Sequence, residues 1–130
     1  MIGGRYPRGK EAAQRFSERR LREIAAPRLL GEVPALVRLQ IAVEQWSSQS
    51  DGSVRHVRHV VVSHAPALFI VACSDSRCTG GGHDITAACL RALRAHATRF
   101  SGEDACGGMV GSAPCCGQVR FEGEAEFRAL

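Results

Sequence analysis

What this chain of 130 residues lacks narrows its reading first. It has no apolar run approaching the ~20 residues that span a bilayer, so no membrane partner is expected. Its opening stretch, "MIGGRYPRGKEAAQRF", holds no apolar h-region of the kind a secretory signal needs, and the expected compartment is the cytoplasm. Thiols stay reduced there, so six cysteines point to metal or redox chemistry rather than structural disulfides. The length suits one globular domain, and there is neither an internal repeat nor a low-complexity segment.

The catalytic signatures are missing too. There is no nucleophile elbow, and no carboxylate pair sits on a recognisable scaffold. "TGGGHD" (Thr79 to Asp84) has glycines but no following lysine to reach a phosphate, so it reads as a turn around a metal rather than an anion cradle. His83 and "PCC" share residue types with the zinc deaminases. Their H-x-E, however, reads His83-Asp84-Ile85 here, and without that glutamate there is no proton shuttle. Glu103-Asp104 is a like-charged pair on a turn and is expected in solvent.

Charge is placed unevenly. Residues 1–30 hold eight basic and three acidic side chains, and the remaining hundred hold nine and ten. A basic arm on a near-neutral body suggests an acidic partner, either a protein complex or nucleic acid. Arg15, Arg19, Arg20 and Arg22 crowd one short helix and are the candidate partner-binding residues. Only 5% of residues are aromatic, which leaves little to stack on bases beside those arginines, so any nucleic-acid binding would be weakly sequence-selective.

The chain divides into a basic arm, 1–30, and an α+β domain, 31–130. Residues 1–9 are expected to be disordered. Lys10 to Ala25 predicts a helix ended by Pro27, with a thin apolar face of Ala12, Ala13, Phe16 and Ile24. Such a helix gains little on its own body, which favours a partner or self-association. Ala35 to Trp46 alternates, with Val37, Leu39, Ile41 and Val43 on one face. Turn chemistry around Asp51-Gly52 then predicts a hairpin into a second strand, Val54 to His64. His56 and His64 share one face of that strand, as surface imidazoles. Ala67 to Cys73, apolar on both faces, predicts a third and central strand. Asp84 to His96 predicts a helix with Asp84 as N-cap and Ile85, Cys89, Ala92, Leu93 and His96 inward. Two more strands follow, "TRFSGEDA" and "QVRFEGEAEF", the last with Phe121 and Phe127 inward and Glu122, Glu124 and Glu126 in water. The expected fold is an antiparallel sheet of about five strands, β-β-β-α-β-β, with one helix packed on it.

Cysteine carries the strongest signal. Cys73 and Cys78 form C-x4-C at the end of the third strand. After a 27-residue gap, Cys106 and Cys115 flank the turn between the last two strands. Zinc takes four thiolate or imidazole ligands in a tetrahedron, and these four thiols supply them from element ends that can meet. His83 and Cys116 are reserve ligands. A closed site would be structural, worth ~10–16 kcal/mol of apparent binding free energy in finger peptides. No C-x-x-C is present, which leaves an iron–sulfur cluster or thiol redox chemistry as the alternative use of these residues. An open zinc position completed by His83 or water would make an enzyme instead. Cys89, on the helix's apolar face, reads as a small hydrophobe. The expected function is thus a zinc-stapled, non-enzymatic binding module.

Overall fold

The structure is a computed structural model; it describes residues 5–47 and 52–129, and of residues 5–12, 15 and 16 the backbone alone. In chain order the elements are α1 (Arg5–Ala25), α2 (Leu29–Glu32), β1 (Leu36–Ser47), β2 (Ser53–Val60), β3 (Ile70–Val71), β4 (His83–Asp84), α3 (Thr86–Arg94), β5 (Arg99–Ala105), β6 (Met109–Val110), β7 (Ala113–Pro114) and β8 (Gly117–Phe127). The body is α+β, as the sequence predicts, and its main sheet is antiparallel in the order β2-β1-β8-β5.

Alternation places the core. In β1, Leu39, Ile41 and Val43 are buried, opposite Ala125, Gly123 and Phe121 of β8 in the same register. Phe69, Val71, Ile85, Cys89, Leu90 and Leu93 close the core from the other side, and Leu29 and Val33 of the α2 segment complete it. Two glycines make room for two rings. A methyl group on Gly123 would meet Phe100 at 2.2 Å, and one on Gly102 would meet Phe121 at 2.5 Å. Each ring lies across the partner strand's glycine, which ties β5 to β8 by aromatic contact. The opposite sheet face carries Glu122, Glu124 and Glu126, all exposed as expected.

Several expectations are overturned. The main sheet has four strands rather than five, because Ala67 to Cys73 is not its central strand. That segment lies on the inner side of the sheet, and only Ile70–Val71 pairs, with His83–Asp84. Its backbone is satisfied elsewhere: Ala67 N–H donates to Pro27 O at 2.7 Å, and Phe69 N–H donates to Thr86 Oγ1 at 2.8 Å. The double-sided apolarity comes from burial between layers, so the central places fall to β1 and β8. A second two-residue ribbon, β6 with β7, also went unpredicted.

Smaller differences have local causes. A register shift between Leu36 and Arg38 turns Leu36 inward and leaves Val37 half exposed. The second strand stops at Val60, because Val61 to His64 turns back, with His64 N–H on Val61 O at 3.0 Å. His64 therefore does not share a strand face with His56. The Asp51-Gly52 turn lies partly outside the described residues, although the β1–β2 pairing from Leu39↔Val60 to Trp46↔Ser53 gives the hairpin. The first helix begins at Arg5 rather than Lys10; Pro7 falls in its first turn, where a missing N–H costs nothing.

Asp84 belongs to β4, yet its Oδ1 accepts the Thr86 N–H at 3.1 Å and so satisfies a free donor at the start of α3. His96 is past the helix end rather than on its inward face. It takes a left-handed φ of 55°, while Ala97 N–H returns to Ala92 O, and its ring stacks on half-buried Phe127 at 4.6 Å.

Candidate metal centre

The two thiol clusters meet at one end of the sheet. Cys73 follows β3, Cys78 lies in the loop from β3 to β4, Cys106 follows β5 directly, and Cys115 follows β7. The loop and the β5–β8 connection are stitched by main-chain bonds in both directions: Thr79 N–H to Met109 O at 2.8 Å, and Met109 N–H to Thr79 O at 3.0 Å. Cys106 N–H donates to Gly117 O, and Cys115 N–H to Gly108 O, each at 2.9 Å. Buried Gln45 of β1 steadies the loop from below, its Oε1 accepting Ser74 N–H at 3.1 Å. In the loop itself, Asp75 accepts Arg77 N–H at 2.9 Å, and Cys78 N–H bonds to Asp75 O at 3.1 Å. The Arg77 hydrogen bonds hold the Asp75 carboxyl below its ordinary range.

The Sγ atoms of Cys73, Cys78, Cys106 and Cys115 all lie within 4.8 Å of one another. Cys73 and Cys115 are 3.7 Å apart, and Cys78 and Cys106 are 3.6 Å apart. Four sulfurs held ~2.3 Å from a single ion at tetrahedral corners would stand about 3.8 Å apart. The group can therefore hold a metal ion, and its donors are four thiols, three of them buried.

Glycine shapes the cradle. A methyl group on Gly81 would sit 2.4 Å from Cys106 Sγ and 2.5 Å from Cys78 Sγ. On Gly108 it would lie 2.5 Å from Cys78 Sγ and 2.7 Å from Gly81 Cα. On Gly117 it would reach Cys73 Sγ at 3.2 Å. At Gly81 and Gly108 the backbone therefore approaches sulfur so closely that a side chain would force a shift, and at Gly117 the fit is tight. Within the "GGG" run Gly81 thus packs against the thiols, and Gly82, with φ at 115°, turns its N–H onto Cys106 Sγ at 3.3 Å. Gly108 N–H reaches the same sulfur at 3.4 Å, and Gly117 N–H reaches Cys115 Sγ at 3.4 Å.

These donors set the electrostatics. Burial pushes Cys73 up to about 11 and pushes Cys78 higher still, each reinforced by the neighbouring thiols. Cys106 is also penalised by burial, but the Gly82 and Gly108 N–H groups, together with hydrogen bonds from the Cys78 and Cys115 thiols, outweigh this and hold it below an ordinary thiol. Thiolates so close together need a cation among them, since buried like charges are otherwise too costly to keep.

The other candidates fall outside this group. His83 is buried in β4 and engages Asp104 Oδ2 through Nδ1 at 2.9 Å; its Nε2 has no hydrogen-bond partner among the described residues. Cys116 is half buried and turns to Pro114 O at 3.9 Å. Cys89 is fully buried in the main core, as a small hydrophobe there would be. Burial lifts its thiol to about 12.

The arm's arginines divide. Arg22 pairs with Asp84 at 2.7 Å and Arg19 reaches Ile70 O at 3.3 Å, both on the chain's own body. Arg20 is exposed, and the Arg15 side chain lies outside the described residues. Leu21 and Ile24 point away from the body, 66% and 73% exposed. So α1 leans on the body through the Arg19 and Arg22 guanidinium groups and turns Leu21 and Ile24 outward. Among the described residues no helix is long and apolar enough to cross a membrane.

Sequence reasoning put the Thr79 to Asp84 turn, and with it Gly81, around a metal, but missed Gly108 and Gly117 as parts of the site. Their signal was available: each lies within two residues of a cysteine. Compared with known protein families, curated proteins and solved structures, the chain matches none.

Proposed function

We propose that this chain is a small zinc-stapled binding module of the cytoplasm, without catalytic activity of its own, whose basic N-terminal segment docks on an acidic partner. The observation that carries the metal part is the convergence of four thiols within 4.8 Å, with glycine backbone pressed against them. That arrangement leaves no position at the ion for a substrate, which is the mark of a structural site rather than a catalytic one. Zinc also suits an all-thiolate tetrahedral donor set. When bound, the ion would link the β3–β4 loop to the β5–β8 connection. Those segments hold short two-residue ribbons and little apolar surface of their own.

The partner reading rests on the surplus of arginine in residues 1–30 and on α1's outward Arg20, Leu21 and Ile24. Deleting residues 1–26 should abolish partner capture and leave the metal content unchanged. Were the partner nucleic acid, affinity would fall with salt at a log–log slope of roughly −0.9 per neutralised phosphate on duplex DNA.

The second reading is electron transfer through iron at the same cysteines. A polynuclear cluster sets several irons and sulfides between its thiolates, and the tight 4.8 Å grouping suits a single ion better. Visible absorption of the purified protein separates the two: a zinc site is colourless, and an iron–thiolate site is coloured.

A further inference from the structure

Away from the cysteines, two cations meet where charge alone would keep them apart. Arg19 of α1 and Arg58 of β2 both donate through an Nη2 to one acceptor, the Ile70 carbonyl, at 3.3 and 3.4 Å. The β3–β4 ladder explains why that oxygen is free to take them. Ile85 N–H occupies the Phe69 carbonyl, and the alternation of an antiparallel pair turns the next carbonyl the other way. Both bonds are long for a guanidinium, whose hydrogen bonds to anionic oxygen run ~2.7–2.9 Å.

The neighbourhood offers one carboxylate, Glu23, to two guanidinium groups. Glu23 approaches Arg19 Nε at 3.4 Å, and among the described residues no carboxylate forms an ion pair with Arg58. Arg58 is half buried, and burial, followed by the charge of Arg19, holds its guanidinium below the usual range. The two arginines line a cleft of about 220 Å³ together with Glu23 and His59, and the rest of its wall is largely apolar, with Val60, Ala65, Pro66, Leu68 and Phe69. That volume is below the ~300–1,000 Å³ of pockets for drug-sized ligands, and suits one small group.

We propose that Arg19 and Arg58 form a two-pronged site for a carboxylate on a short apolar stem. A carboxylate between the two guanidinium groups would replace one shared neutral acceptor by two charge-assisted bonds and relieve their repulsion, while the apolar wall covers the stem. The source of that carboxylate is either an acidic side chain of the partner or a free small acid. The site rests on the docking reading only for the first source, and it does not depend on the metal.

The test is titration of the full-length protein, as purified and at fixed ionic strength, with N-acetyl-Ala-Glu-Ala-amide and separately with glutarate, read by arginine Nε–H shifts in NMR. Saturable binding at millimolar concentration or tighter is expected, weakened at least about tenfold by Arg58→Gln and by Arg19→Gln. Arg99→Gln, at an exposed arginine of β5, should leave it unchanged. Tighter binding of the peptide identifies a partner side chain as the source, and glutarate binding at least as tightly identifies a free acid. Arg19 stands on α1, outside the core, so its variant keeps the test decisive even if Arg58→Gln fails to fold. The proposal is overturned if neither probe saturates, if both substitutions leave binding intact, or if Arg99→Gln weakens it equally. The last result would assign the effect to the chain's overall charge, and the docking reading would survive without this site.

Discussion

The described residues form two buried clusters, and they are held by different means. The larger joins Leu39, Ile41, Val43, Phe121 and Val119 of the sheet to Phe69, Ile85, Cys89 and Leu93. The smaller consists of Cys78, Cys106 and Cys115, with Cys73 and Val110 packed against it. In the first, cohesion is spread over many apolar contacts, so loss of one side chain removes a fraction of it. The second has almost no apolar surface, and its sulfurs gather because main-chain bonds and glycine contacts bring them together. A distributed core degrades gradually, whereas a centre of four thiols around one ion fails when a single donor is lost.

The largest expected effect is therefore at the thiols. Cys73→Ser or Cys106→Ser should abolish metal retention and lower the melting temperature about as much as a strong chelator does on the parent. Thermal unfolding with and without chelator checks this. If chelation leaves melting unchanged, the second cluster needs no ion and the contrast collapses.

Next come two adjacent glycines that sharpen the comparison. A methyl group on Gly108 would collide with Cys78 Sγ at 2.5 Å, while on Gly107 it would meet nothing within 4 Å. Gly108→Ala should reduce metal content well below one ion per chain, and Gly107→Ala should leave it unchanged, as read by elemental analysis. Equal behaviour of the two would mean that the glycine backbone does not shape the centre.

In the first cluster, Phe121→Ala should cost ~3–5 kcal/mol by denaturant titration while the folded fraction keeps its metal. Cys89→Ala, in the same core, should cost only ~1 kcal/mol and leave metal content alone. Loss of metal on that change would mean the two clusters are not separable. The smallest effect belongs to the outer face of the sheet, where Glu124→Ala should stay within ~0.5 kcal/mol.

The same division explains what could be read from the sequence. Period-two alternation in β1 and β8 exposed both strands and their inward faces, because one side of each meets the core and the other meets water. Ala67 to Cys73 misled for the matching reason: a segment buried between layers is apolar on every side, whether or not it joins a sheet. The Leu36–Arg38 register shift left no composition signal, so Val37 was placed inward. At the centre, spacing named the four thiols, since cysteines at element ends can meet however the strands are ordered. Spacing could not tell that His83 would be engaged by Asp104, or that Cys116 would turn to Pro114 O. Those outcomes depend on side-chain direction in turns. Nearness to a cysteine marks Gly108 and Gly117, but which sulfur each glycine packs against depends on tertiary approach.

The most direct test of the central claim is native mass spectrometry of protein purified without added metal, for the parent and three variants. The account predicts one zinc ion per chain in the parent, in Cys116→Ser and in His83→Ala, and none in Cys106→Ser. A metal-free parent, or a Cys106→Ser chain that keeps its ion, would contradict it.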